Sequence, residues 1–292
     1  MTSEPTPSAR RTRRMFVDGD YGQIHLRLAS PEKPSEPPLV LLHMFPQSGR
    51  NFTALIEAVS RRRLVIAPDF PGHGESDPPP APISASDYAR SIWQVVDQLQ
   101  MLQQTGFVDL FGIHAGAKLA AEVTWQRPEH VGRLVLSSAA ALAPSEVHKI
   151  RGAMRPVALD HEGRRFARLW AMLQQNRGEG TDLEMLAQSF AEMIRWGSRN
   201  SWGSQAVFDY NERFSDVISR LTHPITLLNP GDDLYELTPR TLPLLRNGTF
   251  VDRPNWGHGF LQSCAGELAD FIEQALATAY DGQERGTVQS SR

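Results

Sequence analysis

The 292-residue chain carries a formal net charge of −3, and 40% of its residues are hydrophobic and 22% charged. These values are typical of a soluble globular protein that buries a substantial core, either as one large α/β domain with an insertion or as two small domains. The absence of a basic excess argues against nucleic-acid binding, and no apolar run is long enough to cross a bilayer.

The predicted elements begin with an antiparallel hairpin, because two apolar runs at residues 14–17 and 23–29 flank the turn-forming sequence DGDYG. Short apolar runs then alternate with longer helical patterns, which predicts a mostly parallel sheet covered by helices. Further strands are expected at 38–43, 63–68, 107–111, 133–137, 224–229 and 249–252, and helices at 51–60, 86–104, 115–126 and 266–276.

The strand pattern stops between residues 142 and 221, where the sequence is helical and amphipathic. We interpret 142–221 as a helical cap inserted into a core formed by 15–141 and 222–280. Its large apolar residues are Phe166, Leu169, Trp170, Met172, Met185, Phe190, Met193, Trp196, Trp202, Phe208 and Tyr210. Most of them are expected to pack the cap onto the core and a minority to line an apolar pocket above the strand ends.

The two ends of the chain, 1–14 and 281–292, carry no strand or helix pattern, and we predict disordered tails there. The N-terminal charges are not followed by an apolar stretch, so the first segment lacks the pattern of a secretory signal. A single cysteine, Cys264, allows no intramolecular disulfide and no cysteine-based zinc cluster, which fits a cytoplasmic protein. No activating pattern surrounds Cys264, and we interpret it as structural.

Five motifs follow predicted strands in order: LLHMFPQS (41–48), DFPGHGES (69–76), GIHAG (112–116), NPGDDLYELTP (229–239) and NWGHGF (255–260). They resemble, in the same order, five loops of α/β-hydrolases. The first of these loops holds the oxyanion, the second structures the site and the third presents the nucleophile. The fourth carries the acid and the fifth carries the catalytic histidine. The resemblance covers about residues 16–276 apart from the cap. It implies the α/β-hydrolase fold, a mostly parallel central sheet flanked by helices, with an inserted helical cap.

The nucleophile position differs from the family pattern Gly-x-Ser-x-Gly, because its central residue is His114. Histidine is among the residues that tolerate the positive φ of this turn, and Gly112 and Gly116 leave room for a close strand–helix contact. A neutral imidazole has a free lone pair, so His114 can attack an acyl carbon directly or act as a base. The alternative is that His114 is a non-catalytic remnant of an active site. We place this interpretation second because the other site motifs remain.

His258 corresponds to the family's general base, and we expect Asp233 to orient it. Asp232 is the alternative acid and Glu236 the third choice, since the loop carries one extra residue before Pro239. In a second interpretation of Asp232, its side chain stabilises a turn.

The resemblance places the oxyanion hole at the backbone N–H groups of Ala115 and of Met44 or Phe45. Met44 replaces the glycine of the family's loop, which makes this assignment less direct. His43 and His73 lie in motifs where the family often has structural histidines, and we assign them that role.

A metal site formed by His114, His258 and Asp233 is an alternative that we place below a proton relay, because the family's triad geometry aligns these groups in a row. The sequence has no phosphate loop and no dinucleotide fingerprint. We therefore predict no cofactor and no metal.

The leading functional prediction is a cofactor-independent hydrolase that cleaves an ester, lactone or related carbonyl bond of a small apolar substrate. A lyase, decarboxylase or isomerase that uses His114 and His258 for proton transfer is the first alternative, and an inactive ligand-binding protein is the second. The expected partner is a small-molecule substrate, with no nucleic acid and no membrane, and a homodimer is left open.

Overall fold

The computed structural model describes residues 12–153 and 159–277. The first strand begins at Arg13, so residues 13 and 14 belong to the sheet and the N-terminal tail was predicted two residues too long. The remainder of that tail, the predicted C-terminal tail and residues 278–280 of the predicted core lie outside the described residues.

Eight strands form one sheet in the spatial order β1-β2-β4-β3-β5-β6-β7-β8. They are β1 (Arg13–Gly19), β2 (Gly22–Ala29), β3 (Leu39–Leu42), β4 (Val65–Pro68), β5 (Val108–Ile113), β6 (Val131–Ser137), β7 (Ile225–Pro230) and β8 (Gly248–Arg253). The β1–β2 and β2–β4 pairs are antiparallel and the other neighbours are parallel. The predicted hairpin and the mostly parallel sheet are confirmed.

Ten α-helices connect and cover these strands in the described part of the chain. They are α1 (Thr53–Val59), α2 (Ala85–Gln98), α3 (Ala115–Gln126), α4 (Pro144–Ala153), α5 (Arg164–Gln175), α6 (Leu183–Ile194), α7 (Trp202–Asp209), α8 (Asn211–Arg220), α9 (Phe260–Ser263) and α10 (Ala265–Leu276). Short 3-10 helices occupy Gly49–Phe52, Pro128–His130, Gly197–Ser201 and Thr238–Leu244. No described helix has both the length and the apolar character needed to traverse a bilayer.

Helix α2 shows how local sequence sets element ends. Ser84 and Asp87 form a capping box at its start, in which each side chain accepts a hydrogen bond from the other residue's backbone N–H. The helix ends at Gln98, six residues before the predicted end, and Gln100 has a positive φ of 52°. The apolar residues after Gln98 therefore keep a helical spacing in the sequence, but their backbone is not an α-helix.

The sheet separates two apolar clusters because neighbouring strand residues point to opposite faces. Leu110 packs with residues of α2, α3 and α8 on one face, and Phe111 packs with residues of α1 and α10 on the other. Strands β3, β4 and β5 are buried along their whole length, as expected for strands covered on both faces.

Helices α4 to α8 occupy the chain between β6 and β7, which is the segment predicted as a cap. Parallel strands β5, β6 and β7 end beside one another, so the residues that follow them gather at one edge of the sheet. The candidate site lies at this edge.

Candidate active site

His114 is the single residue between the end of β5 and the start of α3. Its φ of 50° and ψ of −114° make a sharp turn, and its backbone N–H donates to Ser137 O at 2.9 Å. A Cβ on Gly112 would collide with Gly116 O, and a Cβ on Gly116 would collide with Leu42 O. Both glycines are thus needed for the turn that presents the His114 ring.

The His114 ring is held by Asp232, which comes two residues after the end of β7. Nε2 of His114 lies 2.9 Å from Asp232 Oδ2. The same carboxylate accepts hydrogen bonds from Ser138 Oγ at 2.5 Å and from the N–H of Leu234 at 2.9 Å. The Asp232 side chain is only 2% exposed, so these donors replace the water that an ionised carboxylate would otherwise bind.

The contact changes the protonation of both groups. Burial acts to raise the pKa of Asp232, but the adjacent His114 ring and the Ser138 hydroxyl outweigh it and hold that pKa below its ordinary value. Burial acts to lower the pKa of His114, but the carboxylates of Asp232 and Asp233 outweigh it and raise that pKa. From the sequence alone His114 is expected to be a free, mostly neutral imidazole, whereas these carboxylates favour the imidazolium.

His258 forms a second imidazole–carboxylate pair beside the first. Its Nε2 lies 3.1 Å from Asp233 Oδ1, and that oxygen is also 3.8 Å from Nε2 of His114. The Asp233 side chain is 59% exposed, and the partial desolvation of its carboxylate acts to raise its pKa, but the hydrogen bond to His258 and the charge of His114 outweigh this and lower that pKa to about 2. The predicted partner of His258 is therefore in contact with it, while the alternative acid, Asp232, contacts His114. Glu236 is exposed and belongs to neither pair.

The two imidazole rings stack at the wall of a cavity of about 690 Å³. Their centroids are 6.2 Å apart and their planes are inclined by 28°. Of the large apolar residues predicted in the inserted segment, a minority line this cavity, namely Met172, Met185, Met193 and Phe208.

The residues assigned to the oxyanion hole, Met44, Phe45 and Ala115, also line the cavity. Ala115 is the first residue of α3, so its N–H has no partner within the helix.

His43 and His73 take no part in either pair. His43 is buried, with Nε2 accepting from the N–H of Phe70 at 3.0 Å, and Nδ1 of His73 lies 3.2 Å from Pro71 O. Burial lowers the pKa of His43 to about 4 and that of His73 to about 3, so both remain neutral at neutral pH. This agrees with the structural role predicted for them.

Two residues of the site were not predicted. Ser138 follows β6, and its position directly after a strand at the shared sheet edge is the signal that was available. Lys118 lines the cavity from the first turn of α3, and its position directly after the elbow is the signal that was available.

Donor atoms of His114, Asp232 and Asp233 lie within 4.8 Å of one another. This set differs from the predicted metal alternative, which used His258 in place of Asp232. The separation of His114 Nε2 and Asp232 Oδ2 is a normal hydrogen-bond distance, and Ser138 bonds the same oxygen. The geometry therefore favours a shared proton over a shared metal ion.

Residues 37–196, more than half of the chain, match the model of the alpha/beta hydrolase fold family. The chain belongs to this family. Uncharacterized proteins of Mycobacterium tuberculosis and Mycobacterium bovis are 31% identical to it over 105 residues, which is 36% of this chain and 30% of theirs. The match thus spans less than a third of these relatives' length.

Solved structures share the architecture over nearly the whole chain. Cfl2 from Burkholderia cenocepacia has a TM-score of 0.76 at 18% identity, covering 93% of this chain and 98% of its own. An enol-lactonase from Burkholderia xenovorans has a TM-score of 0.74 at 13% identity, with coverages of 90% and 100%. A thermophilic esterase from Thermogutta terrifontis has a TM-score of 0.72 at 19% identity, with coverages of 90% and 97%. At these identities the likeness shows a common fold.

Proposed function

We propose that this protein hydrolyses an ester, lactone or related carbonyl bond of a small, largely apolar substrate. The observation that carries the proposal is the pair of stacked imidazoles, each on its own carboxylate, at the wall of one cavity. Membership of the alpha/beta hydrolase fold family supports it, and so do the esterase and lactonase among the structures of the same fold.

The two imidazoles take different roles because their carboxylates differ. In each pair Nε2 faces the carboxylate, which leaves Nδ1 to exchange a proton with substrate or water. His114 is held by a buried carboxylate that favours its protonated form, so it supplies the acid. His258, oriented by the more exposed Asp233, supplies the base.

The proposed reaction begins when His258 Nδ1 takes a proton from a water molecule that attacks the carbonyl carbon. The oxyanion that forms is stabilised by the N–H of Ala115 and that of Met44 or Phe45. Collapse of this intermediate breaks the bond to the leaving alkoxide, which receives the proton of His114 Nδ1. Proton transfer from His258 to His114 through water restores the starting state.

Direct attack by His114, with an acyl-imidazole intermediate, is the covalent form of the same reaction. It requires the neutral ring, which the raised pKa of His114 disfavours. Mass spectrometry of protein quenched during turnover of an acylating ester distinguishes the routes. The water route predicts no mass increase on the peptide containing His114, and an acyl adduct there would replace it with the covalent route.

Proton transfer without hydrolysis is the second candidate, favoured by the same acid–base pair and by the absence of an alcohol or thiol at the elbow position. In that case a carbonyl substrate would yield a lyase, decarboxylase or isomerase product. Product analysis separates the two reactions. A ligand that stabilises the protein and is recovered unchanged would instead indicate a binding protein.

Hydrolysis of p-nitrophenyl butyrate by three alanine variants tests the proposal. We expect His114→Ala and His258→Ala each to lower kcat/KM by about 10²–10⁴, the usual contribution of a positioned acid or base. His148→Ala is the matched control, because His148 is exposed and lies outside both pairs. Equal turnover by the wild type and all three variants would contradict the proposal.

A further inference from the structure

Lys118 is a buried cation in the cavity wall that the proposed reaction does not use. It lies one turn into α3 from the elbow, and its backbone N–H donates to His114 O at 3.2 Å. The residue is 5% exposed and lines the same cavity as both imidazoles. Its ammonium donates to Asn211 Oδ1 at 2.8 Å and lies 5.3 Å from the ring centroid of Phe214.

In the described part of the chain this ammonium has no direct ion-pair partner, although Glu146, Asp232 and Asp233 line other parts of the cavity. Among the residues that the structure describes, no carboxylate lies within ion-pair distance of Lys118 Nζ. Its hydrogen-bond acceptor is a neutral amide oxygen, which Asn211 also offers to the N–H of Leu142 at 3.3 Å. An ammonium has three N–H donors, so this contact leaves two of them for other acceptors.

Burying an ammonium without a counter-ion is unfavourable, so such a lysine either loses its proton or acquires an anion. Burial lowers the pKa of Lys118 to about 7, in keeping with that cost. Lys118 lines the cavity, so a ligand anion bound there can act as its counter-ion.

We propose that Lys118 binds a carboxylate of the substrate, so that the substrate is an apolar monocarboxylic acid whose reacting carbonyl lies several bonds away. This inference rests on the proposed function only in placing the substrate in this cavity. Lys118 offers one buried positive charge to one carboxylate, and most of the surrounding wall is apolar, with Leu142, Met185 and Val207 among its residues.

Octanoate and octanamide are suitable probes, because they share an apolar chain and differ in charge. We expect the wild type to bind octanoate about tenfold or more tightly than octanamide, as measured by isothermal titration calorimetry. Lys118→Met, which retains the aliphatic stem, should abolish this preference. Lys149→Met is the matched control, since Lys149 also lines the cavity but is exposed, and it should retain the preference.

Binding without turnover keeps this inference separate from the proposed function. His114→Ala should retain the preference for octanoate even though it loses hydrolysis. Equal affinity of the wild type for the two probes, or a preference that survives in Lys118→Met, would overturn the assignment.

A measurement on the wild type covers the case in which Lys118→Met does not fold. Octanoate should raise the pKa of Lys118, followed by NMR of ¹³C-labelled lysine, and octanamide should leave it unchanged. An unchanged Lys118 pKa with saturating octanoate would show that the lysine only fastens α3 to α8 through Asn211.

Discussion

At the scale of single residues, each of the two adjacent aspartates contacts a different histidine. Asp232 is buried against His114 and Ser138, while Asp233 is largely exposed and contacts His258. The turn after β7 separates their side chains, with the N–H of Asp232 donating to Pro230 O at 2.8 Å. Asp232 and Asp233 thus provide one carboxylate for each of the two imidazole rings.

The pairing of Asp232 with His114 predicts a pH-dependent contribution to stability. The pKa of His114 is raised above 6.5, so its contribution is complete below pH 6.5 and is lost as pH rises through the raised value. The pKa of Asp232 is lowered below 3.8, so its contribution is complete above pH 3.8 and is lost as pH falls through the lowered value. Both contributions are therefore present together between pH 3.8 and 6.5.

Asp232→Asn should lower the free energy of unfolding by about 1–3 kcal/mol within that window, because it removes the negative charge that balances a buried charged donor. The difference from the wild type should shrink as pH rises above the window, which urea unfolding at several pH values measures. Asp216→Asn is the control: Asp216 pairs with Arg220 on the surface, and its loss should cost at most about 0.5 kcal/mol. If Asp232→Asn were destabilised by the same free energy at every pH from 5 to 9, the stability contributed by Asp232 would not depend on the protonation of His114.

At the scale of elements, the loop 177–181 between α5 and α6 fixes the backbone of the His258 loop. The N–H of Gly178 donates to His258 O at 2.8 Å, and Thr181 Oγ1 donates to the same oxygen at 3.0 Å. Arg177 and His258 form an isolated parallel β-bridge. The inserted segment therefore touches the site through a backbone contact as well as through the side chains that line the cavity.

Gly178→Ala tests this contact, because an added Cβ would stand 2.5 Å from His258 O. We expect about 1–3 kcal/mol of destabilisation, the usual cost of overpacking, together with a reduced kcat/KM for p-nitrophenyl butyrate. Gly152→Ala is the matched control: Gly152 lies in α4, where an added Cβ would meet no heavy atom within 4 Å, and alanine there should stabilise the helix by about 0.5–1 kcal/mol. Equal stability and activity of the two variants would show that the close contact has no role.

Element boundaries were predicted best where the sequence carries a physical stop signal. Helix α3 was predicted to its ends, since it starts at the elbow and precedes Arg127-Pro128. Helix α2 was predicted too long, because the apolar spacing past Gln98 imitates a helical stripe. Strand β6 begins at Val131, two residues before its predicted start.

At the scale of the whole molecule, the succession of strands along the chain and the mostly parallel sheet could be inferred from the sequence, because buried apolar runs and strand-end motifs follow one another in a fixed order. The partners of each side chain could not. Asp232 meets His114 across 118 residues of chain, and Lys118 meets Asn211 across 93. Such contacts depend on how the loops fold over the sheet edge, and no local pattern records them.

The raised pKa of His114 also emerges only at this scale. It depends on burial supplied by the fold and on two carboxylates brought from beyond the inserted segment. A sequence motif identifies the residue at the elbow, whereas the assembled molecule sets its pKa, on which the acid role that we propose for it depends.

The pH profile of kcat/KM for p-nitrophenyl butyrate, compared between the wild type and Asp232→Asn, tests this role most directly. The wild type should give a bell-shaped profile whose alkaline limb, set by protonated His114, lies above pH 6.5. Removing the Asp232 charge should move that limb to lower pH, because burial then dominates the pKa of His114. An alkaline limb at the same pH in both proteins would contradict the assignment of His114 as the acid.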